Sequence, residues 1–332
     1  MYPKRAFAIA AFCLAGGALI VIPAIAQDDV FVAQDGLNTG SIGAYSISFD
    51  SGSVSSSTLN SSLITSPAAG QSTEVRMSLA TDGLGDLFVG EYSGGTTATI
   101  GEYSLNGTAI NSSFLTLSDS SSVPQLAADA QGHLFVSVGN TVSEYNTGGT
   151  LLNSFSIGPI ATAVDIMALA VNSSDDLYTA YTTGNSLGQG YHGVIGEYTA
   201  SGSPISKSLI TTANLINDLT VGGGDIYVSL QDGPPDIENR IDEYTTDGST
   251  VMSPLISDVS GHTALDGQGN LLVDSYGDGT ISAYTTSGTL LGSDVISGAG
   301  GAEDMVIVPV PEPSTLGLLT MGALGLLIRR RA

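Results

Sequence analysis

The stretch "LATDGLGDLFVGEY" (79–92), followed by "IGEYSLNGTAI" (100–110), decides the fold because variants of it return four more times along the chain. The other copies, in chain order, are "LAADAQGHLFVSV" with "VSEYNTGGTLL" (126–152), "LAVNSSDDLYTAY" with "IGEYTASGSPI" (169–205), "LTVGGGDIYVSL" with "IDEYTTDGSTV" (219–251), and "TALDGQGNLLVDS" with "ISAYTTSGTLL" (263–291). Internal repeats of this length indicate a fold built from identical supersecondary units.

Each copy predicts four strands. An apolar strand is followed by a turn rich in Gly and Asp, a second strand, a variable loop, a third strand ending in Tyr, a Gly turn and a fourth strand. The copies begin at residues 79, 126, 169, 219 and 263, and no stretch between them has a sustained helical period. Four strands repeated every 40 to 50 residues, roughly, are typical of the blades of a β-propeller.

The number of blades follows from the tyrosines that end the third strands, which are Tyr45, Tyr103, Tyr145, Tyr198, Tyr244 and Tyr284. The first copy, "DVFVAQDGLNTGSIGAYSISFDSG" (29–52), starts at its second strand, and the next repeat falls due near residue 307, inside "EDMVIVP" (303–309). We therefore predict an all-β, six-bladed β-propeller over residues 27–309, closed by a C-terminal strand that pairs with the N-terminal blade. We expect the tyrosines to pack between blades.

The N-terminal residues 1–26 have the features of a secretory signal peptide. Lys4 and Arg5 precede an apolar run over residues 6–22, and "AIA" (24–26) forms a cleavage site before Gln27. The alternative is an uncleaved anchor helix. The single cysteine, Cys13, lies inside this segment. The mature chain is therefore expected to contain neither a disulfide nor a reactive thiol.

The predicted mature region is strongly acidic. Between residues 27 and 310 only Arg76, Lys207 and Arg240 are basic, against thirty-one Asp and Glu. Such a surface repels nucleic acid and anionic lipid, because phosphate binding requires Lys and Arg. Disorder is the alternative for an acidic chain rich in Ser, Thr and Gly, but a hydrophobic content of 42% in recurring strand-like runs favours a folded domain.

The blade text resembles the NHL-repeat and SMP-30/gluconolactonase-like six-bladed propellers, whose repeats place Asp-x-x-Gly before a hydrophobic strand. The resemblance covers residues 29–309 and implies the fold, whereas propellers carry many unrelated activities.

The C-terminal "VPEPSTLGLLTMGALGLLIRRRA" (310–332) resembles the PEP-CTERM sorting signal of Gram-negative bacteria. Its parts are Pro311, Glu312 and Pro313, a short apolar helix over residues 315–328, and Arg329, Arg330 and Arg331. The resemblance implies a membrane-embedded exosortase as partner, transient anchoring in the inner membrane, and export to the cell envelope, surface or medium of a bacterium that makes exopolysaccharide. The alternative is an ordinary anchor, but fourteen residues are short of the roughly 20 that span a bilayer.

The loops that enter each first strand converge at the mouth of the central channel. The candidate residues there are Asp165, Asp218, His262 and Asp304, with Glu74 near the corresponding place of its repeat. The SMP-30 resemblance implies a divalent metal at this place, and oxygen ligands from several blades suit Ca²⁺. Because the repeat that contains "SVPQLAAD" (122–129) has no acid there, we assign neither a metal site nor a catalytic residue.

Two functions therefore stay open. The first is a non-enzymatic, monomeric propeller at the cell surface or in the matrix that binds or organises exopolysaccharide. The second is a metal-dependent hydrolase of the SMP-30/gluconolactonase type that uses the central channel. The absence of a clustered His/Glu/Asn set favours the first.

Overall fold

The computed structural model describes residues 14–15, 18–19, 27–34, 36–37, 40–50, 53–66, 74–92, 94–118, 122–157, 166–185, 189–231, 239–275, 279–299 and 301–310. These residues form strands, turns and bends, and none of them lies in a helix. The strands make six sheets of four or five strands, and one small two-stranded pair lies outside them. The predicted all-β, six-bladed propeller is confirmed.

The strands follow one another in chain order. Before the propeller lie β1 (Leu14–Ala15) and β2 (Ala18–Leu19), which pair with each other. The propeller strands are β3 (Gln27–Gln34), β4 (Gly36–Leu37), β5 (Ser41–Asp50), β6 (Ser53–Thr65), β7 (Glu74–Thr81), β8 (Asp86–Tyr92), β9 (Thr97–Ser104), β10 (Ala109–Ser118), β11 (Leu126–Ala128), β12 (Leu134–Val138), β13 (Thr141–Tyr145), β14 (Leu151–Ser156), β15 (Ile166–Val171), β16 (Asp176–Asn185), β17 (Gln189–Thr199), β18 (Pro204–Thr212), β19 (Leu215–Gly222), β20 (Asp225–Gln231), β21 (Arg240–Thr245), β22 (Thr250–Ser257), β23 (Thr263–Leu265), β24 (Asn270–Ser275), β25 (Thr280–Thr285), β26 (Leu290–Ser297) and β27 (Ala302–Val310).

Each blade is an antiparallel sheet that runs from the channel outwards. Blade 1 has the order β27-β3-β5-β6; blades 2 to 6 begin with the inner strands β7, β11, β15, β19 and β23. Blade 2 has a fifth strand, because β4 pairs with the inner strand β7. The inner strands contact one another around the ring, and β27 touches both β7 and β23.

The C-terminal strand closes the ring as predicted. β27 pairs antiparallel with β3 over its whole length, with Val310 opposite Gln27 and Asp304 opposite Ala33. Blade 1 is thus made from both ends of the domain, and the inner edge of β3 is covered. The same register brings Gln27 and Val310 to one face of the disc, opposite the face where Asp304 lies.

The repeated Asp-x-x-Gly motif forms the turn between the first and second strands. Asp82 Oδ1 accepts the backbone N–H groups of Leu84, Gly85 and Asp86 at 2.8, 3.2 and 3.2 Å. Equivalent side chains accept backbone N–H groups in three other blades, namely Asp129, Asn172 and Asp266. A carboxylate or amide oxygen that accepts these bonds fixes the tight turn.

The core lies between the blades. Tyr45 of blade 1 is 2% exposed and packs with Leu272 and Ile281 of blade 6. Tyr198 of blade 4 packs in the same way against Phe135 and Val142 of blade 3. Burial of apolar area at each seam, worth about 25 cal/mol per Å², stabilises the ring without a disulfide.

A glycine turn seals five of the six seams at the outer strands. The turn between the third and fourth strands carries a glycine that abuts a large side chain of the preceding blade. The pairs are Gly107 with Leu63, Gly149 with Phe114, Gly202 with Phe155, Gly248 with Leu209, and Gly288 with Leu255. A Cβ atom at Gly107 would lie 2.8 Å from Leu63 Cγ, so only glycine fits there.

Candidate functional site

Six equivalent positions form a ring at one end of the channel. The strand registers align Ser78, Gln125, Ala168, Asp218, His262 and Asp304, one from each blade. Asp218, His262 and Asp304 stand on the adjacent blades 5, 6 and 1. The structure therefore brings together three of the four predicted channel-mouth residues. Asp165 lies outside the described residues, and Glu74 begins β7 opposite Leu37.

Bulges place the two acids. The pairing of β19 with β20 shifts between Ile216 and Asp218, and that of β27 with β3 shifts between Ala302 and Asp304. A bulge inserts one extra residue and redirects the side chain that follows it. Asp218 and Asp304 consequently occupy the same position in their blades.

Asp218 joins blade 5 to blade 6. Its Oδ2 accepts the backbone N–H of Thr263 at 2.7 Å and the Thr263 hydroxyl at 2.9 Å. Thr220 of blade 5 strengthens the same seam, because its hydroxyl donates to the Thr263 carbonyl at 2.8 Å. Burial raises the pKa of Asp218, and the charge of His262 and the bonds from Thr263 oppose that rise.

Asp304 joins blade 1 to blade 2 in the same way. Its Oδ2 accepts the backbone N–H of Leu79 at 2.7 Å, and its Oδ1 accepts that of Met305 at 2.7 Å. Burial raises the pKa of Asp304 to about 7, with a further rise from the charge of Asp218, while His262 opposes the shift.

His262 lies between the two acids and is held by a third. Its backbone N–H donates to Asp274 Oδ1 at 2.5 Å, and its Nδ1 lies 3.4 Å from Asp274 Oδ2. Burial lowers the pKa of His262, but the contact with Asp274 and the charges of Asp218, Asp274 and Asp304 outweigh it and raise the pKa to about 9. The imidazole is therefore protonated at neutral pH, and 22% of the side chain is exposed to the channel.

Asp274 and Gly261 are parts of the site that the sequence did not reveal. Asp274 is 1% exposed, in the middle of a sheet. Gly261 leaves the space that its carboxylate fills, because a Cβ there would collide with Asp274 Oδ1 and lie 2.5 Å from the Asp274 carbonyl oxygen. The only sequence signal is one charged residue at the end of the apolar run "NLLVD" (270–274).

The described residues show no preformed divalent-metal site. Among the residues that the structure describes, no group of three or more His, Cys, Asp and Glu side chains is arranged to hold a metal ion. Carboxylate oxygens of Asp218 and Asp304 already accept backbone N–H groups. Metal binding to His262 would have to displace its proton, since a histidine must be neutral to bind a metal.

Three ionisable groups in blade 3 also come together. His133, which has no Cys or His partner in the sequence pattern, has its Nδ1 2.8 Å from Asp129 Oδ2 and 3.7 Å from Glu144 Oε1. This cluster lies at the turn end of its blade, away from the channel mouth, and holds the turn in place.

Residues 309–331 match the PEP-CTERM protein-sorting motif. The match includes Pro311, Glu312 and Pro313 and the arginines Arg329, Arg330 and Arg331, all of which lie outside the described residues, as does the predicted helix 315–328. No helix within the described ranges is long and apolar enough to cross a membrane. The motif implies an exported protein that an exosortase processes at the membrane.

Solved structures with the same fold are distant in sequence. A protein of unknown function from Bacteroides caccae is 12% identical, with a TM-score of 0.56 over 85% of this chain and 99% of that one. A gluconolactonase from Xanthomonas campestris is 17% identical, with a TM-score of 0.51 over 70% and 79%. A protein from Lactobacillus plantarum is 14% identical, with a TM-score of 0.50 over 86% and 100%. No curated protein matches the chain in sequence. At these identities the likeness shows the fold alone.

Proposed function

We propose that this PEP-CTERM propeller is a cell-surface or extracellular-matrix protein with a non-enzymatic binding or structural role, acting on exopolysaccharide as a monomer. The sorting motif supplies the exported, exosortase-processed part of this account. The acidic surface, with a formal net charge of −24 for the whole chain, suits a neutral or cationic partner better than an anionic one.

The single observation that carries the non-enzymatic role is that the channel acids Asp218 and Asp304 form hydrogen bonds between blades. One carboxylate oxygen of each acid accepts a backbone N–H of the next blade. Asp218 accepts that of Thr263, and Asp304 accepts that of Leu79. These bonds leave further acceptor sites on each carboxylate, but they give both acids a structural task at the seams. These acids hold neighbouring blades together.

The ends of the domain fit release from a membrane. Gln27 and Val310 are paired neighbours, so the predicted signal peptide and the sorting tail leave from one point on one face. The channel mouth with Asp304 is on the opposite face. A propeller still held by its tail would therefore present the channel mouth away from the membrane, and cleavage of the tail would free the whole disc.

The test is binding of the exported protein to the exopolysaccharide of its own host. The purified protein should sediment with the polysaccharide at physiological salt, and a D218A/D304A double variant that stays folded should sediment equally well. The absence of any polysaccharide binding by the wild-type protein would refute the proposal.

The second candidate is a metal-dependent hydrolase of the SMP-30/gluconolactonase type. In its favour, Asp218, His262 and Asp304 meet on three adjacent blades, and a gluconolactonase shares the fold. Its test is hydrolysis of aldonolactones by the purified protein with Ca²⁺, Mn²⁺ or Zn²⁺. Turnover that is lost in D304A and in dialysed protein would establish the hydrolase and displace the non-enzymatic role.

A further inference from the structure

The sixth seam, between blade 6 and blade 1, contains a cavity of about 260 Å³. Its apolar lining consists of Phe49, Val54 and Leu291, and its polar lining includes Asp50, Gln268 and Asn270. Phe49 and Val54 are a cross-strand pair in the hairpin of β5 and β6. The cavity lies on the face of the disc that carries the turns between first and second strands. This is the face at which β27 ends with Val310.

At this seam a smaller side chain stands at one of the positions that seal the others. Where Leu255 of blade 5 meets the turn Gly288, the strand registers place the shorter Val295 at the equivalent position of blade 6. Further along the seam the two blades are in contact, since the Ser56 hydroxyl donates to the Val295 carbonyl and a Cβ at Gly292 would lie 3.5 Å from Val54 Cβ. The opening is thus a local gap in a closed seam.

One of its polar side chains, that of Asn270, is fixed in position. Asn270 donates its side-chain N–H to Asp266 Oδ2 at 2.6 Å and its backbone N–H to Asp266 Oδ1 at 2.7 Å. The amide oxygen of Asn270 is left as an acceptor. The backbone N–H of Gln268 is held by the same carboxylate at 2.8 Å, and Asp50 is exposed at the rim.

This lining matches a polyhydroxylated ring. An aromatic and two aliphatic side chains offer an apolar surface to the C–H groups of a sugar, while carboxylate and amide groups pair with hydroxyls. The volume lies just under the roughly 300 Å³ at which pockets for drug-sized ligands begin, which suits one ring rather than a long chain segment.

The charge around the cavity selects against acidic sugars. Asp28, Asp50 and Asp266 lie in or beside this seam, and Asp28 feels the charge of Asp266. No Lys or Arg lines the cavity. A carboxylate or sulfate on the ligand would therefore be repelled without a compensating ion pair.

We propose that the seam cavity binds one uncharged sugar ring of a glycan, with Phe49 as the apolar platform and Asp50 and Asn270 as hydroxyl partners. The proposal rests on the proposed function, because it gives the polysaccharide-binding role a site and a ligand class.

The experiment titrates the purified exported protein with methyl glycosides of glucose, galactose, mannose and N-acetylglucosamine, and with methyl glucuronide, by saturation-transfer NMR. At least one uncharged glycoside should bind saturably and more tightly than the glucuronide. F49L, which keeps apolar packing but removes the ring, should weaken binding by about two- to tenfold, the range expected for an aromatic contact. S53W should block the cavity, because Ser53 is an exposed lining residue.

The matched control is S257W, which places the same bulk at an exposed residue of a second cavity lined by Arg240 and Pro254. It should bind like the wild type. Failure of every uncharged glycoside to bind, or equal binding by S53W and S257W, would overturn the proposal. If S53W still sediments with whole exopolysaccharide, the seam site is wrong while the proposed function stands; if the wild type fails to sediment, the function itself is wrong.

Discussion

Asp304 Oδ2 accepts the backbone N–H of Leu79 at 2.7 Å, across 225 positions of sequence. The bond joins the last strand of the propeller to the inner strand of blade 2. Together with the β27–β3 ladder it ties the C-terminal strand to two blades at once. Ring closure therefore depends on one strand that is held from both sides.

Removal of that strand should unfold the domain. A chain that ends at Gly301 lacks β27. The edge of β3 is then exposed, and the apolar residues that pack against Met305 lose that contact. The loss should amount to several kcal/mol at about 25 cal/mol per Å², comparable with the whole stability of an ordinary domain. A chain that ends at Val310 is the control and should melt like the full propeller. Equal melting temperatures for the two truncations would contradict closure by β27.

The seam bond itself can be tested with D304A. The substitution leaves the buried N–H of Leu79 without its acceptor, which costs about 1–3 kcal/mol in unfolding free energy. D50A removes the same group from an exposed position and should change stability by no more than about 0.5 kcal/mol. Chemical denaturation of both variants measures the difference. A D304A variant as stable as D50A would show that the seam bond is not stabilising.

Gly261 is required for the position of Asp274. G261A should displace the Asp274 carboxylate, destabilise the propeller by about 1–3 kcal/mol and lower the pKa of His262, because Asp274 raises it. The matched control is G267A, since a Cβ at Gly267 meets only Pro309 Cγ at 3.7 Å. The imidazole shifts in an NMR titration report the His262 pKa. An unchanged titration in G261A would show that Asp274 does not raise the pKa of His262.

Stability should fall as the pH rises from 5 to 9. Burial raises the pKa of Asp28 to about 6 and that of Asp304 to about 7, and both exceed the ordinary value of 3.8 for an aspartate. Each neutral acid stabilises the fold at low pH, and that contribution is lost as the pH rises through the folded value. His262 acts in the same direction, since its stabilisation is complete below pH 6.5 and is lost as the pH rises through its folded pKa of about 9. Melting temperatures at pH 5, 7 and 9 check the slope, and D28N should reduce it between pH 5 and 7. A melting temperature that rises with pH would contradict these assignments.

Much of the fold could be predicted from the amino-acid sequence of the repeats. The Asp-x-x-Gly turns, the closing strand and the meeting of Asp218, His262 and Asp304 depend on strand order and on position within a repeat, which the sequence displays. The partners of those side chains could not be predicted. Asp218 and Asp304 each follow a bulge, and a bulge shifts the register by one residue without altering the hydrophobic pattern.

The seam cavity was equally hidden. It lies at a contact between opposite ends of the propeller, lined by Phe49 and Val54 from one end and by Asn270 and Leu291 from the other. No local pattern marks such a contact, because the size of a gap depends on how two blades approach. Aromatic residues make up only 6% of the chain, so composition gives no indication of the surface that Phe49 supplies here.

The most direct test of the account is mass spectrometry of the protein released from a host that contains an exosortase. The tail should be cut at the Pro-Glu-Pro motif, because this motif matches the sorting signal and the arginines hold the tail in the membrane. The released form should begin near Gln27 and lack the chain from about Pro313 onward. Replacement of residues 311–313 by alanine should leave export intact but trap the full tail in the inner membrane. Released protein that still contains peptides from residues 326–329 would contradict the account.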